Sequence, residues 1–254
     1  MNSENNYQNS DTVAIGGEFY NFLAKAENTD VQISCDNQNI NLLTTNINIG
    51  TLDSLQSFSV QPIKFEITDH SESDENVVIK LNITADNYQK TQYIETTINP
   101  SWKTIDNGLI SLSIPSNGRI GFADLYRDYG KGISYGNLYD LFYDAGMMVG
   151  TSSENIIQCI RSQNEFTNTG KSEYTSYPDA SEAIISSFDA VDATNNTNLN
   201  ITQTTIAPNN NQNLLLIGYS FYNNNSVSID DLYAGLFFDW DLIKYHRNIS
   251  GFNQ

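Results

Sequence analysis

Residues 213–241 read NLLLIGYSFYNNNSVSIDDLYAGLFFDWD, and this stretch decides the fold. Leu215, Ile217, Tyr219 and Phe221 alternate, as one face of a β-strand requires. Leu214 and Leu216 make the start of that strand apolar on both faces, which predicts a path through a core. Asn223-Asn224-Asn225-Ser226 turns the chain. The following strand sets Leu232, Ala234, Leu236, Phe238 and Trp240 on one side, with Tyr233, Gly235, Phe237, Asp239 and Asp241 on the other. Two aromatic-rich runs joined by a polar loop predict an antiparallel hairpin or a Greek-key corner. A face carrying Leu, Phe and Trp is expected to bury against a second sheet.

The same period recurs upstream. Strands are predicted over Val13–Ala26 (Tyr20, Phe22 and Ala24 on one face), at Val31–Cys35, Ile47–Ile49, Phe58–Val60, Ile63–Ile67 and Val77–Ile83, and after the turn at Asp86-Asn87 over Gln92–Ile98. Some seven short strands with turn signals every 8–12 residues is the pattern of an Ig-like sandwich. Asn99-Pro100 breaks the ladder, because proline lacks an N–H and forces its predecessor to extended geometry. Beyond it Ile110, Leu112 and Ile114 form a strand, turned by residues 115–118. Leu141–Val149 forms another, with Leu141, Tyr143, Ala145, Met147 and Val149 on one side, and Ile156–Arg161 pairs back on it. Residues 164–180 read as irregular, Ser181–Phe188 as a helical turn or a strand, Asp189–Asn198 as a loop, and Ile201–Thr205 as a short strand. The expectation is therefore all-β, with two tandem β-sandwich domains: residues 1–12 a linker or an adopted edge, 13–100 Ig-like, and 103–254 a larger sandwich that is incomplete at its C-terminus.

Composition bounds the function. The chain has 254 residues, 39% hydrophobic and 17% charged, with 15 Tyr and 12 Phe that favour strands. Thirty acidic against twelve basic residues give a net charge of −18. Phosphate binding needs concentrated Lys and Arg, so nucleic acid is excluded as a partner, and anionic lipid is disfavoured. No apolar run approaches the ~20 residues of a membrane span. The segment MNSENNYQNSDT lacks an apolar signal-peptide core. Together with the Asn-rich, Lys-poor strands, it predicts a piece of a longer secreted or cell-surface bacterial protein. Cys35 and Cys159 fall in different predicted domains; two free thiols and one cross-domain disulfide are both open.

Catalytic chemistry finds little purchase. His70, in Asp69-His70-Ser71, and His246 have no His or Cys at metal-ligand spacing. Adjacent Asp-His-Ser residues are no triad, since triad members meet from distant segments. Gly130-Lys131-Gly132 lacks the strand–loop–helix context of a phosphate loop. Asp239 and Asp241, at period two, place their carboxylates on one strand face about 7 Å apart. They are the candidate calcium ligands of the chain, with Asp189 and Asp192 as further oxygen donors. The same spacing touches the range for paired glycosidase carboxylates, about 5–5.5 or 6.5–9.5 Å. Solvated structural carboxylates are the plainer reading. Tyr126, Tyr129 and Tyr135 in the Gly/Tyr-rich stretch suit either a carbohydrate or peptide groove or a packed loop.

Several stretches carry a resemblance: Asn107–Ile120 with Gly121-Phe122; LFYDAGMMVGTSS at residues 141–153; Ile160-Arg161; Ile184–Asp189; Ile201-Thr202-Gln203; and DLYAGLFFDWD at residues 231–241. In this order they resemble the noncatalytic region that follows the subtilisin-like serine peptidase domain in secreted proteins of Bacteroidetes and related bacteria. The first hundred residues are similar to the Ig-like module that precedes that region. The resemblance implies an accessory, noncatalytic module with no resident cofactor. Its partners would be neighbouring domains of the same parent protein or another extracellular protein. Apart from the resemblance, the second expectation is an adhesive or self-assembling extracellular β-sandwich subunit, whose open sheet edges take strands from neighbouring copies. The peptidase's Asp, His-Gly and Gly-Thr-Ser motifs do not occur in this chain, and the resemblance places them upstream. It also implies further strands beyond Gln254. A carbohydrate-binding or hydrolytic module is the third expectation.

Overall fold

The computed structural model describes residues 7–86, 88–139, 141–211 and 213–241. The expectations for residues 1–6, Asn87, His246 and Gln254 lie outside the described residues. All regular structure among the described residues is β. The chain divides into a unit of residues 1–100 and a unit of residues 101–254.

Unit 1 holds seven strands: β1 (Thr12–Tyr20), β2 (Ala26–Cys35), β3 (Ile40–Leu42), β4 (Asn46–Leu52), β5 (Ser57–Ile67), β6 (Glu75–Ala85) and β7 (Tyr88–Ile98). They make a three-stranded sheet, β1-β5-β3, and a four-stranded sheet, β4-β2-β6-β7. Strand number and the three-plus-four division are those of an Ig-like sandwich, with its own connectivity: β2 and β6, second and sixth in sequence, are neighbours in one sheet. Alternation produces the core directly. Val31 and Ile33 of β2, Phe65 and Ile67 of β5 and Val77, Ile79 and Leu81 of β6 all point inward. Each fully buried side chain of this size contributes about 1.5–3 kcal/mol.

Three local readings change. Val13–Ala26 is not one strand, because Asn21 ends it: its Nδ2 donates to the carbonyls of Ala24, Leu52 and Asp53, and its Oδ1 accepts from Leu23 N–H. The runs at Phe58 and Ile63 are one strand. Pro62 is tolerated because the β1–β5 ladder skips register between Ile15/Ile63 and Gly17/Val60, and β3 pairs with β5 only at residues 65–67. Residues 7–11 are tied to unit 1 and are not a free linker. Ser10 N–H donates to Ile67, Asn99 N–H donates to Tyr7, and the Tyr7 ring packs on the core.

Unit 2 contains a small sheet, β10-β9-β8, made of β8 (Lys103–Asp106), β9 (Ile110–Ile114) and β10 (Ile133–Tyr135). A second sheet, β12-β11-β18, joins β11 (Phe142–Ser152), β12 (Asn155–Gln158) and β18 (Tyr233–Trp240). The third runs β13-β15-β16-β17, from β13 (Phe166–Asn168), β15 (Ala180–Asp192), β16 (Thr197–Pro208) and β17 (Leu216–Asn223), with β14 (Glu173–Tyr174) paired to β15. The last two sheets pack face to face through Met147, Val149, Phe188, Leu199 and Ile201. The small sheet closes one end through Ile105, Leu112 and Ile114, against Phe142, Ala145 and Ile184.

The decisive stretch is not a hairpin. β17 pairs with β16 and β18 with β11, so residues 224–232 carry the chain from the edge of one sheet to the edge of the other. Ile229 and Leu232 on this crossing pack onto the core. The expected path of β17 through a core is also corrected: among the described residues it is an edge strand, and Leu214 and Leu216 are exposed. The Leu/Phe/Trp face of β18 does point at the opposite sheet, yet Leu236 and Trp240 remain about two-fifths exposed, at 43% and 39%. Ser181–Phe188 is strand, and the expected loop at Asp189–Asn198 shrinks to a turn between β15 and β16. On β11 the expected face flips at its start. Phe142 pairs with Trp240 and Asp144 with Asp239, so Tyr143 is the extra residue of a bulge and points outward.

Candidate interaction site

The outer face of β12-β11-β18 carries the most elaborate arrangement of side chains among the described residues. Beneath its upper end lies a buried ion pair. Arg119 and Asp144 have side chains 3% and 4% exposed, and Nη1 donates to Asp144 Oδ1 at 2.9 Å. Arg119 follows the turn after β9, where Asn117 Oδ1 accepts its N–H at 3.3 Å and an isolated bridge to Gly146 seats it on β11. Its Nη2 donates to the carbonyls of Arg161 (2.6 Å) and Gln163 (2.9 Å). Asp144 Oδ2 accepts the Arg161 N–H at 2.5 Å.

The pair therefore clamps Arg161 from both sides of its peptide backbone. This residue has φ 55°, a left-handed conformation that an L-residue with a Cβ holds at a cost of about 1–3 kcal/mol. The clamp supplies what offsets that cost. With the backbone fixed, the side chain is delivered to the surface. Its guanidinium carbon lies 5.2 Å from the Phe237 ring centre and 5.8 Å from that of Tyr143, within cation–π range. Nη2 pairs with Asp239 Oδ2 at 2.9 Å, both side chains partly exposed.

Asp239 thus sits where the sequence placed it, on the outer face of β18, but its partner is a cation. Asp241 lies just past the strand and anchors through its backbone, donating N–H to Leu141 at 2.9 Å. Among the described residues no three His, Cys, Asp or Glu side chains gather at metal-binding distance. Asp189 accepts from Asn200 Nδ2 at 2.8 Å. Asp192 closes its own turn, accepting from Thr194 N–H and from Asn195, and these hydrogen bonds hold its carboxyl below the usual range. His70 and Asp69 form an exposed pair. Lys131 N–H donates to Ser113 Oγ at 2.9 Å, and Gly132 lies against the Phe122 ring where a Cβ would come within 2.6 Å, so the Gly-Lys-Gly segment is a packed loop. The Tyr129 ring lies tilted against Trp102, ring centres 6.1 Å apart, and Tyr135 OH donates to Asn213, while Tyr126 stands free in solvent at 83% exposure. Both cysteines are free, Cys159 fully buried.

Further along the same face the sheet is grooved. A concavity of ≈ 580 Å³ runs between the β11–β12 turn and the start of β18, floored by Met148, Gly150 and Gly235 and walled by Ile156 and Tyr233. Gly150 is obligatory there, because a Cβ would lie 2.4 Å from the Asn155 carbonyl. Ile156 and Tyr233 are exposed, at 41% and 66%. From Phe237 to Tyr233 the strand covers about 14 Å, so groove and guanidinium share one surface.

Arg119, Asp144 and Arg161 were not singled out as site residues from the sequence. A lone Asp inside an otherwise apolar strand, LFYDAGMMV, was the available signal, since an inward or bulged carboxylate in such a run demands a cation. No family model matches this chain, and no curated protein matches it in sequence.

Proposed function

We propose that this chain is an accessory, noncatalytic interaction module of a secreted or cell-surface bacterial protein, carried beside a subtilisin-like peptidase domain. Its contact surface is the outer face of β12-β11-β18. The observation that carries this reading is the clamped Arg161, with Tyr143, Phe237 and Asp239 around it and the Met148–Tyr233 groove beside it. Tyr, Phe, Met and Arg are the residues enriched in protein interface cores. A preorganised side chain loses less entropy on binding than a free one. The partner is a neighbouring domain of the same parent protein.

Two measurements test it. The reading frame upstream of this segment encodes a subtilisin-like domain; an unrelated neighbour contradicts the reading. That domain, supplied as a separate chain in calorimetric titration, binds the intact module. The Tyr143→Ala/Phe237→Ala variant loses about tenfold or more in affinity, as truncation of interface anchors does. Unchanged affinity removes the face from the account.

A second reading rests on a different observation. The core-facing residues Phe221 of β17 and Leu236 and Trp240 of β18 are 38–43% exposed, and among the described residues both strands are sheet edges. Such edges accept strands from a neighbouring copy, which favours a self-assembling extracellular subunit. Sedimentation velocity across a wide concentration range separates the two: larger species support strand exchange, and monomers throughout exclude it. The carbohydrate-binding reading is checked on the same variant by affinity electrophoresis in soluble polysaccharides, where unretarded migration of the parent protein ends it.

A further inference from the structure

The core of unit 2 is interrupted by one row of polar side chains. Ser186 on β15 is the direct cross-strand partner of Gln203 on β16, and Gln203 is the direct partner of Tyr219 on β17. All three belong to the inward set of their strands. On one side of the row lie Phe188, Ile201 and Phe221, and on the other Ile184, Thr205 and Ile217, each trio again in cross-strand register. Ser186 and Gln203 are 2% and 0% exposed. Ser186 Oγ, Gln203 Oε1 and the Tyr219 hydroxyl are each buried without a hydrogen-bond partner in the protein.

One such atom in a core is a local accident. Three in one cross-strand row, on neighbouring strands about 4.8 Å apart, share the inward face of the sheet. Gln203 Nε2 donates to Thr205 Oγ1 at 3.3 Å, which commits one end of the amide. Turning the amide over exchanges which atom meets Thr205 and leaves the other still facing the row. Two hydroxyls that donate or accept, and one amide end, call for an occupant that does both. No charged side chain belongs to the row. The titratable group that acts electrostatically on Tyr219 is the Cys159 thiol, neutral because burial pushes its pKa up to about 12.

We propose that Ser186, Gln203 and Tyr219 form an internal binding site for a small uncharged molecule that both donates and accepts hydrogen bonds, and that water is its occupant. Buried waters make about three hydrogen bonds to otherwise unsatisfied groups, and the row offers three. The site lies where the two apolar clusters of the unit meet and stitches β15, β16 and β17 together below the backbone ladder.

Tyr219→Phe removes one oxygen and keeps the ring. In the intact chain it lowers the unit-2 melting temperature by about 2–4 °C, the loss expected for one satisfied hydrogen bond in a unit of this size. An orphaned hydroxyl gives the opposite sign, a rise. Water-oxygen magnetic relaxation dispersion on the wild-type chain reports a long-lived internal water, and its amplitude falls in the Ser186→Ala/Tyr219→Phe double variant. The proposal requires the fall in melting temperature and the lost amplitude together. A higher melting temperature for Tyr219→Phe, or no dispersion from the wild-type protein attributable to the row, overturns it. If the double variant does not fold, the loss of amplitude in Tyr219→Phe alone decides.

Discussion

The two units solve the same problem differently. Under β2, β5 and β6 of unit 1 the core is built by apolar alternation, with Thr29 at the start of β2 the buried polar side chain on these strands. Unit 2 has two apolar clusters with the Ser186–Gln203–Tyr219 row between them and the Arg119–Asp144 ion pair above. Apolar alternation is enough to fix strand register, since a slip of one residue turns every side chain to the wrong face. A buried ion pair adds little net stability over a hydrophobic replacement, because desolvation cancels most of the attraction. What it adds here is position: Arg161 in a left-handed conformation, with its guanidinium over two rings. Unit 1 spends its core on stability, and unit 2 gives up part of its core to hold a surface in place.

The largest effects break that contrast directly. Arg119→Met leaves the Asp144 carboxylate buried without its counter-ion, and is expected to cost about 3–5 kcal/mol in the unit-2 transition. Arg119→Met/Asp144→Leu recovers most of this loss, because both charges leave together. The comparison in unit 1 is Phe65→Ala, fully buried in the wild type, which costs about 3–5 kcal/mol through its cavity with no second-site rescue of this kind. Thermal or urea denaturation of the variants checks all three. If the double variant is as unstable as Arg119→Met, the pair is not the source of the loss.

A smaller effect appears at alkaline pH. Burial raises the Cys159 thiol from its ordinary value of 9.0 to about 12, with the Arg119 charge opposing. The folded chain then keeps a proton that the unfolded chain releases. Stability is complete below pH 9 and falls as pH rises from 9 to 12, at roughly 1.4 kcal/mol per pH unit for this one group. Tyr219, also raised by burial, adds to the fall at the upper end. Urea midpoints measured from pH 8 to 11 show a shallower slope in Cys159→Ala, whatever that variant loses at neutral pH. An identical slope contradicts a buried neutral thiol.

Smaller still is the surface pair. Arg161→Ala removes a half-exposed ion pair and two cation–π contacts, and is expected to change stability by about 1 kcal/mol or less, against the several kcal/mol of the buried pair beneath it. A loss as large as that of Arg119→Met places the energetic weight on the surface and inverts the account. Last, a chelator leaves the melting temperature unchanged, because Arg161 already engages Asp239. A drop on chelation restores Asp239 and Asp241 as calcium ligands.

Much of the fold was legible because period two is legible. Val77, Ile79 and Leu81 in unit 1 and Ile110, Leu112 and Ile114 in unit 2 were read correctly as strands from alternation alone. β15 and β16, the longest strands, were read short. Their inward set runs through Ser186, Gln203 and Thr205, so the apolar signal fades where the polar row begins. β17 and β18 were read as strands, but their separation into two sheets was not legible, since residues 224–232 look the same whether the chain returns on itself or crosses over. For the site, Asp239 was found by its spacing and its partner was not. Arg161 lies some eighty residues away, and nothing local announces that Asp144 and Arg119 hold it.

The central claim is that a buried ion pair fixes the backbone of Arg161 and so presents the contact face. Amide hydrogen exchange at Arg161 tests it most directly, because that N–H lies in a short segment after β12 and donates to Asp144 Oδ2. The account expects protection comparable to the central amides of β11, lost in Asp144→Ala. Exchange at the rate of an open loop in the wild-type protein would contradict it.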